Sequence, residues 1–252
     1  MILDVDLGNT RLKWRVLSSP VVSGICEYEN LHAWVLPLSV SAKGRVKRVR
    51  VSAVVGAALR QEFVSWSQRV LNLQPEFAVV VELCAQVRCV YQPLNSLGVD
   101  RWLAMLAAWR LENGGGSVRQ VSRACVVVDC GTAITVDVLT ATGLHQGGYI
   151  LPGFNLMAES LGVATANARL AAVSVGVGLG SNTSECIAHG GVAAVVALIE
   201  GVYSSVSQSV GEKPAMMLTG GAVDVLLPFL QDLEHVTAVD TLVLDGLTLA
   251  LP

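Results

Sequence analysis

The sequence predicts an α/β fold laid down twice, as two similar domains. Three observations carry that prediction. The phrase Asp6-Leu7-Gly8-Asn9-Thr10 returns about half a chain later as Asp129-Cys130-Gly131-Thr132. Each copy follows an apolar run: Ile2, Leu3 and Val5 before the first, Val126, Val127 and Val128 before the second. After each copy, strand-like segments come first and helix-like segments follow, which is the pattern of mixed sheets flanked by helices. A duplicated unit is therefore expected, each copy ending a buried strand in an acid, a glycine and a hydroxyl or amide. Two such turns facing each other would make a phosphate and metal site.

The elements follow in order. Residues 2–7 and 12–17 are expected to form two strands joined by the Gly8-Asn9-Thr10-Arg11 turn. Residues 21–28 make a third strand. Residues 48–54 alternate cleanly and are expected to be a strand with one solvated face. The basic stretch Arg45 to Arg50 reads as a solvated turn leading into it, with a phosphate-binding patch as the alternative. A helix over 56–72, a short strand at 77–82 and a helix over 101–112 complete the first half. Gly114-Gly115-Gly116-Ser117 is the linker candidate, so the domains are expected to span 1–115 and 117–252. In the second half, strands are expected at 124–129, 133–139 and up to Ile150. A long helix over 184–206 follows, then a strand at 215–219, a helix near 222–231, a strand at 235–239 and a final helix near 241–250.

Bulk composition narrows the function. The chain has 252 residues, 52% of them hydrophobic and 15% charged, with a net charge of −3. The apolar richness points to well-buried sheets or a large subunit interface. No basic patch suggests nucleic-acid binding. Asp4 and Asp6 interrupt the N-terminal apolar run, so no secretory signal is read and a cytoplasmic location is expected. The uncharged stretch between Asp137 and Glu159 carries turn-forming glycines and Pro152, so no membrane span is expected there. Six cysteines form no C-x-x-C pair and no zinc spacing, and most are expected to be buried thiols.

Three places carry chemistry. In the Asp6 turn, Gly8 lets backbone N–H groups approach a phosphate closely, and Asn9 and Thr10 add side-chain donors. Asp6 suits Mg²⁺ bound through water, and Lys13 adds a positive charge. An ordinary Asx-type hairpin turn has the same composition, and it is the repetition that argues against that reading. No G-x-x-x-x-G-K-[ST] motif is present. The second place is Tyr91-Gln92-Pro93-Leu94-Asn95-Ser96-Leu97-Gly98-Val99-Asp100-Arg101, a loop in which Asp100 opens a helix. Asp100 is either an N-cap or a carboxylate that takes a proton from a substrate hydroxyl; both roles are compatible. Arg101 is either a surface residue or the anchor of an anionic group. The third comprises Gly147-Gly148 to Gly153, Thr219-Gly220-Gly221, and Asn182-Thr183. The glycine motifs are tight turns or close backbone approaches, and Thr183 is a helix cap or a substrate contact.

Taken in order, these motifs resemble those of type III pantothenate kinases, within the acetate kinase, sugar kinase, Hsp70 and actin superfamily. The resemblance runs almost end to end: Asp6-x-Gly-Asn-Thr-x-x-Lys13, Tyr91 with Gly98-Val99-Asp100-Arg101, Asp129-x-Gly-Thr132, Gly147 to Gly153, Asn182-Thr183 and Thr219-Gly220-Gly221. It implies two duplicated ribonuclease-H-like domains of the actin-like ATPase superfamily. It implies phosphorylation of pantothenate by ATP, the first step of coenzyme A synthesis. By the same resemblance, Asp6 would organise Mg²⁺, and Gly8, Asn9, Thr10, Lys13, Gly131 and Thr132 would hold ATP phosphates. Asp129 would bind a monovalent cation, K⁺ or NH₄⁺. Asp100 would be the general base. Tyr91, Gly98, Val99, Arg101 and Thr183 would hold pantothenate, and the protein would be a homodimer. Another small-molecule kinase of the same fold, or a nucleotide-binding regulator without turnover, stays open beside this reading.

Overall fold

Strand alternation in the first sheet places apolar side chains on one face and ionic side chains on the other. The computed structural model describes residues 1–27, 45–114, 122–161 and 176–252. The glycine-rich linker candidate lies outside the described residues beyond Gly114. The first sheet contains β1 (Ile2–Leu7), β2 (Arg11–Leu17), β3 (Val22–Glu27), β4 (Arg48–Ala53) and β5 (Glu76–Phe77), in the order β3-β2-β1-β4-β5. β1 runs antiparallel to β2 and parallel to β4. Leu3, Val5, Leu7, Leu12, Trp14, Val16, Val49 and Val51 form the apolar face. Helix α1 (Ala57–Leu71) covers this face with Phe63 and Trp66.

The opposite face is buried as well, although it is ionic. Asp4 is 0% exposed, Arg50 3% and Arg15 8%. In register, Asp4 stands between Arg15 on β2 and Arg50 on β4. Arg50 donates to both Asp4 carboxylate oxygens, from Nε at 2.7 Å and Nη2 at 3.1 Å; Arg15 Nε donates at 3.0 Å. The remaining guanidinium donors reach the C-terminal segment: Arg15 to Asp245 and to the Leu244 carbonyl, Arg50 to the Leu251 carbonyl. The face expected to be solvated in residues 48–54 is therefore covered. Charge does not imply exposure here, because two carboxylates and two carbonyls pair with the two guanidinium groups.

The rest of the first half runs through β6 (Leu83–Cys84) and β7 (Val87–Arg88) into α2 (Val99–Asn113). The strand expected at 77–82 is replaced by β5 and the separate β6–β7 hairpin. Residues 101–109 of α2 are all buried, which the apolar positions at helical spacing only partly foretold.

The second sheet repeats the first. It contains β8 (Cys125–Cys130), β9 (Ala133–Leu139), β10 (His145–Pro152), β11 (Ala215–Thr219) and β12 (Val236–Ala238) in the order β10-β9-β8-β11-β12. The central strand is again antiparallel to its hairpin partner and parallel to the crossover strand. Helix α3 (Phe154–Ser160) follows β10, and α4 (Thr183–Val210) packs Val192, Val195, Val196, Ile199 and Tyr203 against Val126, Val128, Ile134 and Val136. By length and composition α4 is apolar enough to cross a membrane, and 39% of its most apolar window is buried in the fold. After β11 come α5 (Val223–Leu226), a 3-10 turn at Leu227–Phe229, β12 and the final α6 (Leu242–Ala250). The single helix expected over 222–231 is thus shorter and split.

Contacts divide the chain into Met1–Ala107 with Thr241–Pro252, and Ala108–Asp240. This differs from the expected division at the glycine linker. The boundary falls inside α2, and α6 returns to the first unit because the Asp4 cluster binds it there. Gly246 lets α6 approach the α2 backbone at Leu103, where a β-carbon would collide with the Leu103 carbonyl.

Replacing Asp4 by Ala would leave two buried guanidinium groups facing each other. The expected loss is about 3–5 kcal/mol of stability in chemical denaturation. A loss below about 1 kcal/mol would contradict the assigned importance of the cluster.

Candidate active site

The first Asp-x-Gly turn is closed by the Gly8 N–H, which donates to the Arg11 carbonyl at 3.1 Å. Asn9 and Thr10 are exposed at its tip, while Asp6 is 9% exposed just behind it. The cross-strand register neighbour of Asp6 is Lys13, and its neighbour on β4 is Ser52. The spacing Asp6 to Lys13 therefore has a geometric meaning. Seven residues through a hairpin return the lysine to the acid, on the same face of the sheet.

The second turn is one residue shorter. Gly131 donates its N–H to the Ala133 carbonyl at 3.0 Å, and Gly131 and Thr132 are exposed. Asp129 has Thr135 and Thr219 as register neighbours. No lysine occupies the place equivalent to Lys13, so the two copies differ in charge as well as in length.

The two later glycine motifs converge on this second turn. Gly153 donates its N–H to the Thr132 carbonyl at 2.9 Å, and a β-carbon there would lie 2.5 Å from the Gly131 and Thr132 carbonyl oxygens. Gly220 has φ +100°, and a β-carbon there would lie 2.5 Å from the Asp129 carboxylate and 2.6 Å from the Cys130 backbone. What links the two motifs is their contact with one turn. At the other end of its motif, Gly147 has φ +101° at a register irregularity in β10.

Cys130 lies inside the repeated phrase, but burial pushes its thiol up to about 12, with the Asp129 charge adding to the effect. It stays protonated and is a packing group. The Cys125 thiol is likewise pushed up to about 12, mainly by burial. All six cysteines are free thiols; Cys89, Cys125 and Cys130 are buried, whereas Cys186 is exposed.

The Tyr91–Arg101 loop brings Tyr91, Gly98, Asp100 and Arg101 together at one helix start. Helix α2 begins at Val99, so Asp100 lies in the first turn and is not the residue preceding the helix. Its carboxylate accepts the Arg101 backbone N–H at 2.8 Å. A β-carbon on Gly98 would lie 2.5 Å from that carboxylate, so the glycine leaves it room. Arg101 is 7% exposed and is not a surface residue. Its Nη1 donates to the Tyr91 hydroxyl at 3.4 Å, and its guanidinium lies 5.6 Å from the Tyr91 ring centre.

Thr183 is the first residue of α4, and the cap is Asn182, whose side chain accepts the Glu185 N–H at 3.0 Å. The capping task expected of Thr183 therefore falls to its neighbour, and Thr183 is exposed. A groove of about 780 Å³ in the second unit is lined by residues such as Gln146, Tyr149, Leu198 and Val202. Gly147, Gly148 and Tyr149 of the glycine-rich motif line it, and none of the residues expected to hold phosphate, pantothenate or a metal is among the lining.

A family model for type III pantothenate kinase matches residues 2–205. The chain belongs to the type III pantothenate kinase family. A type III pantothenate kinase of Nitrosococcus oceani is 36% identical over 253 residues, spanning 98% of this chain and 92% of its own. One from Chromohalobacter salexigens is 34% identical, over 90% of this chain and 79% of its own. Among solved structures, a Campylobacter jejuni protein assigned to the Baf family of transcriptional activators has a TM-score of 0.58 at 19% identity. It covers 98% of this chain and 95% of its own. A Sinorhizobium meliloti protein assigned as a 2-dehydro-3-deoxygalactonokinase has a TM-score of 0.55 at 15% identity, covering 99% and 95%. At these identities the likeness of the two is one of fold alone, a mixed α/β architecture. The kinase family and the repeated strand order agree with the α/β class read from the sequence.

Gly220→Ala forces a β-carbon into the Asp129 carboxylate from a strained backbone angle. It is expected to cost about 1–3 kcal/mol in chemical denaturation. A variant as stable as the parent would contradict the close packing of Gly220 on the Asp129 strand.

Proposed function

We propose that the chain transfers the γ-phosphoryl group of ATP to a hydroxyl of pantothenate, giving 4'-phosphopantothenate in the first step of coenzyme A synthesis. The observation that carries this reading is the cluster at the start of α2, where Tyr91, Gly98, Asp100 and Arg101 meet in a chain of this family.

Phosphoryl transfer asks a protein mainly for in-line placement and for neutralisation of spread charge. Asp100 accepts the proton of the attacking hydroxyl at its carboxylate. Anchored to a rigid helix start, it has little freedom to wander. The Arg101 guanidinium, braced by Tyr91, holds the pantothenate carboxylate beside Gly98 and Val99, and the family resemblance assigns Thr183 a pantothenate contact as well. Gly8, Asn9 and Thr10 present donors to ATP phosphates, Lys13 adds a positive charge, and Gly131 and Thr132 contribute the second set of phosphate contacts.

The donor set at Asp6 fits Mg²⁺. One buried carboxylate lies behind an exposed turn, and the described residues contain no group of three or more His, Cys, Asp or Glu side chains that could hold a metal. Mg²⁺ keeps several waters and is held by one or two carboxylates with substrate phosphates. When bound, it neutralises charge on the transferring group. Asp129, packed closely by Gly220, would hold a monovalent cation, K⁺ or NH₄⁺. A cytoplasmic homodimer is the assembly that accompanies this reading.

The test is an assay of purified protein with ATP, Mg²⁺, K⁺ and pantothenate, followed for ADP and phosphopantothenate. ADP release only with a different acceptor would replace pantothenate by another substrate. Nucleotide binding without turnover would make the protein a regulator. Asp100→Asn is expected to keep the fold and pantothenate binding while lowering kcat by roughly 10²-fold or more. Wild-type turnover in that variant would remove Asp100 from the role of base. Asp129→Ala is expected to abolish activation by K⁺ in a salt titration, and an unchanged K⁺ response would remove Asp129 from cation binding.

A further inference from the structure

The ionic face of the first sheet holds one side chain that neither the packing nor the reaction described above uses. Ser52 is 0% exposed, and its Oγ has no hydrogen-bond partner among the described residues. Most buried hydroxyls in native proteins are paired, because leaving one unpaired forfeits its solvation. A lone buried donor beside a functional acid therefore calls for a reason.

The register supplies one. Ser52 stands beside Asp6 across the parallel β1–β4 ladder, as Arg50 stands beside Asp4 two residues earlier. Residues two apart on a strand share a face, and Arg50 reaches Asp4 with hydrogen bonds of 2.7 and 3.1 Å. Ser52 and Asp6 therefore lie on the same buried face. The second unit repeats the pairing: Thr219, 2% exposed, is the parallel-strand neighbour of Asp129. Each repeated acid thus has a buried hydroxyl on the crossover strand next to it.

We propose that Ser52 is a positioning residue for Asp6: its Oγ–H donates to the Asp6 carboxylate when metal and nucleotide are bound. The carboxylate is then fixed for the water shell of the divalent cation, with Lys13 on its other side. This rests on the reading of Asp6 as the metal-organising acid. Ser52 acts through Asp6 and need not touch substrate.

Calorimetric titration separates the two ideas. Wild type, Ser52→Ala, Asp6→Asn and the double variant are each titrated with a non-hydrolysable ATP analogue, once with Mg²⁺ and once with EDTA. Ser52→Ala is expected to lose about tenfold in affinity with Mg²⁺, the scale of one charge-assisted hydrogen bond, and nothing with EDTA. Its Tm should be unchanged or higher, because a lone buried hydroxyl is removed. In the Asp6→Asn background the same change should add no further loss, since coupled residues are non-additive. Unchanged Mg²⁺-dependent affinity in Ser52→Ala, beside a loss in Asp6→Asn, overturns the Ser52 role. So does an additive double variant, or a lower Tm with equal losses in Mg²⁺ and EDTA. Full Mg²⁺-dependent affinity in Asp6→Asn overturns the reading of Asp6 itself.

Discussion

The buried carboxylate of Asp4 is the constraint on which the first unit depends. Two guanidinium groups converge on it from the neighbouring strands, and their remaining donors hold Asp245 and the carbonyls of Leu244 and Leu251. Isolated, any of these charges would be costly to bury. Together they satisfy one another and draw the last helix of the chain onto the first sheet. That helix packs in turn against the backbone of α2 at Leu103. The strand bearing Asp6 and the helix bearing Asp100 are thus both anchored to one C-terminal segment. Rigid support of this kind is what a site working by placement requires.

Duplication supplies the frame, and divergence supplies the chemistry. Both sheets share strand order and direction, and both place an acid near the end of the central strand, on the face away from the apolar core. The first copy keeps a four-residue turn and a cross-strand lysine. The second has a shorter turn, threonines on both sides, and two glycines that let backbone and carboxylate crowd together. The first arrangement sets a carboxylate beside a lysine and an exposed turn; the second sets one between two threonines and close to the main chain.

Much of this was legible in the sequence, for identifiable reasons. Period-two alternation and the repeated phrase located both hairpins to within a residue or so, because a buried strand followed by an Asp-x-Gly turn has few other readings. The alternation over residues 48–54 predicts a strand with one solvated face; the strand is present at Arg48–Ala53, but its polar face is covered. Nothing local distinguishes water from a covering helix nearly two hundred residues away, so Arg50 and Ser52 were misjudged. Thr183 lies one place, and Asp100 two places, past the residue that precedes its helix. Cap preferences mark a helix start without fixing the residue, and Asn182 competes well for the role. The roles of Gly153 and Gly220 were hidden because they depend on contact with a turn distant in sequence.

The central claim is that Asp100, held at the start of α2, receives the proton of the hydroxyl to be phosphorylated. A crystal structure with pantothenate, Mg²⁺ and a non-hydrolysable ATP analogue tests it most directly. The account predicts the accepting hydroxyl about 2.6–3.2 Å from an Asp100 carboxylate oxygen, with the γ-phosphate on its far side. An Asp100 carboxylate turned away from that hydroxyl, with another side chain in its place, would contradict it.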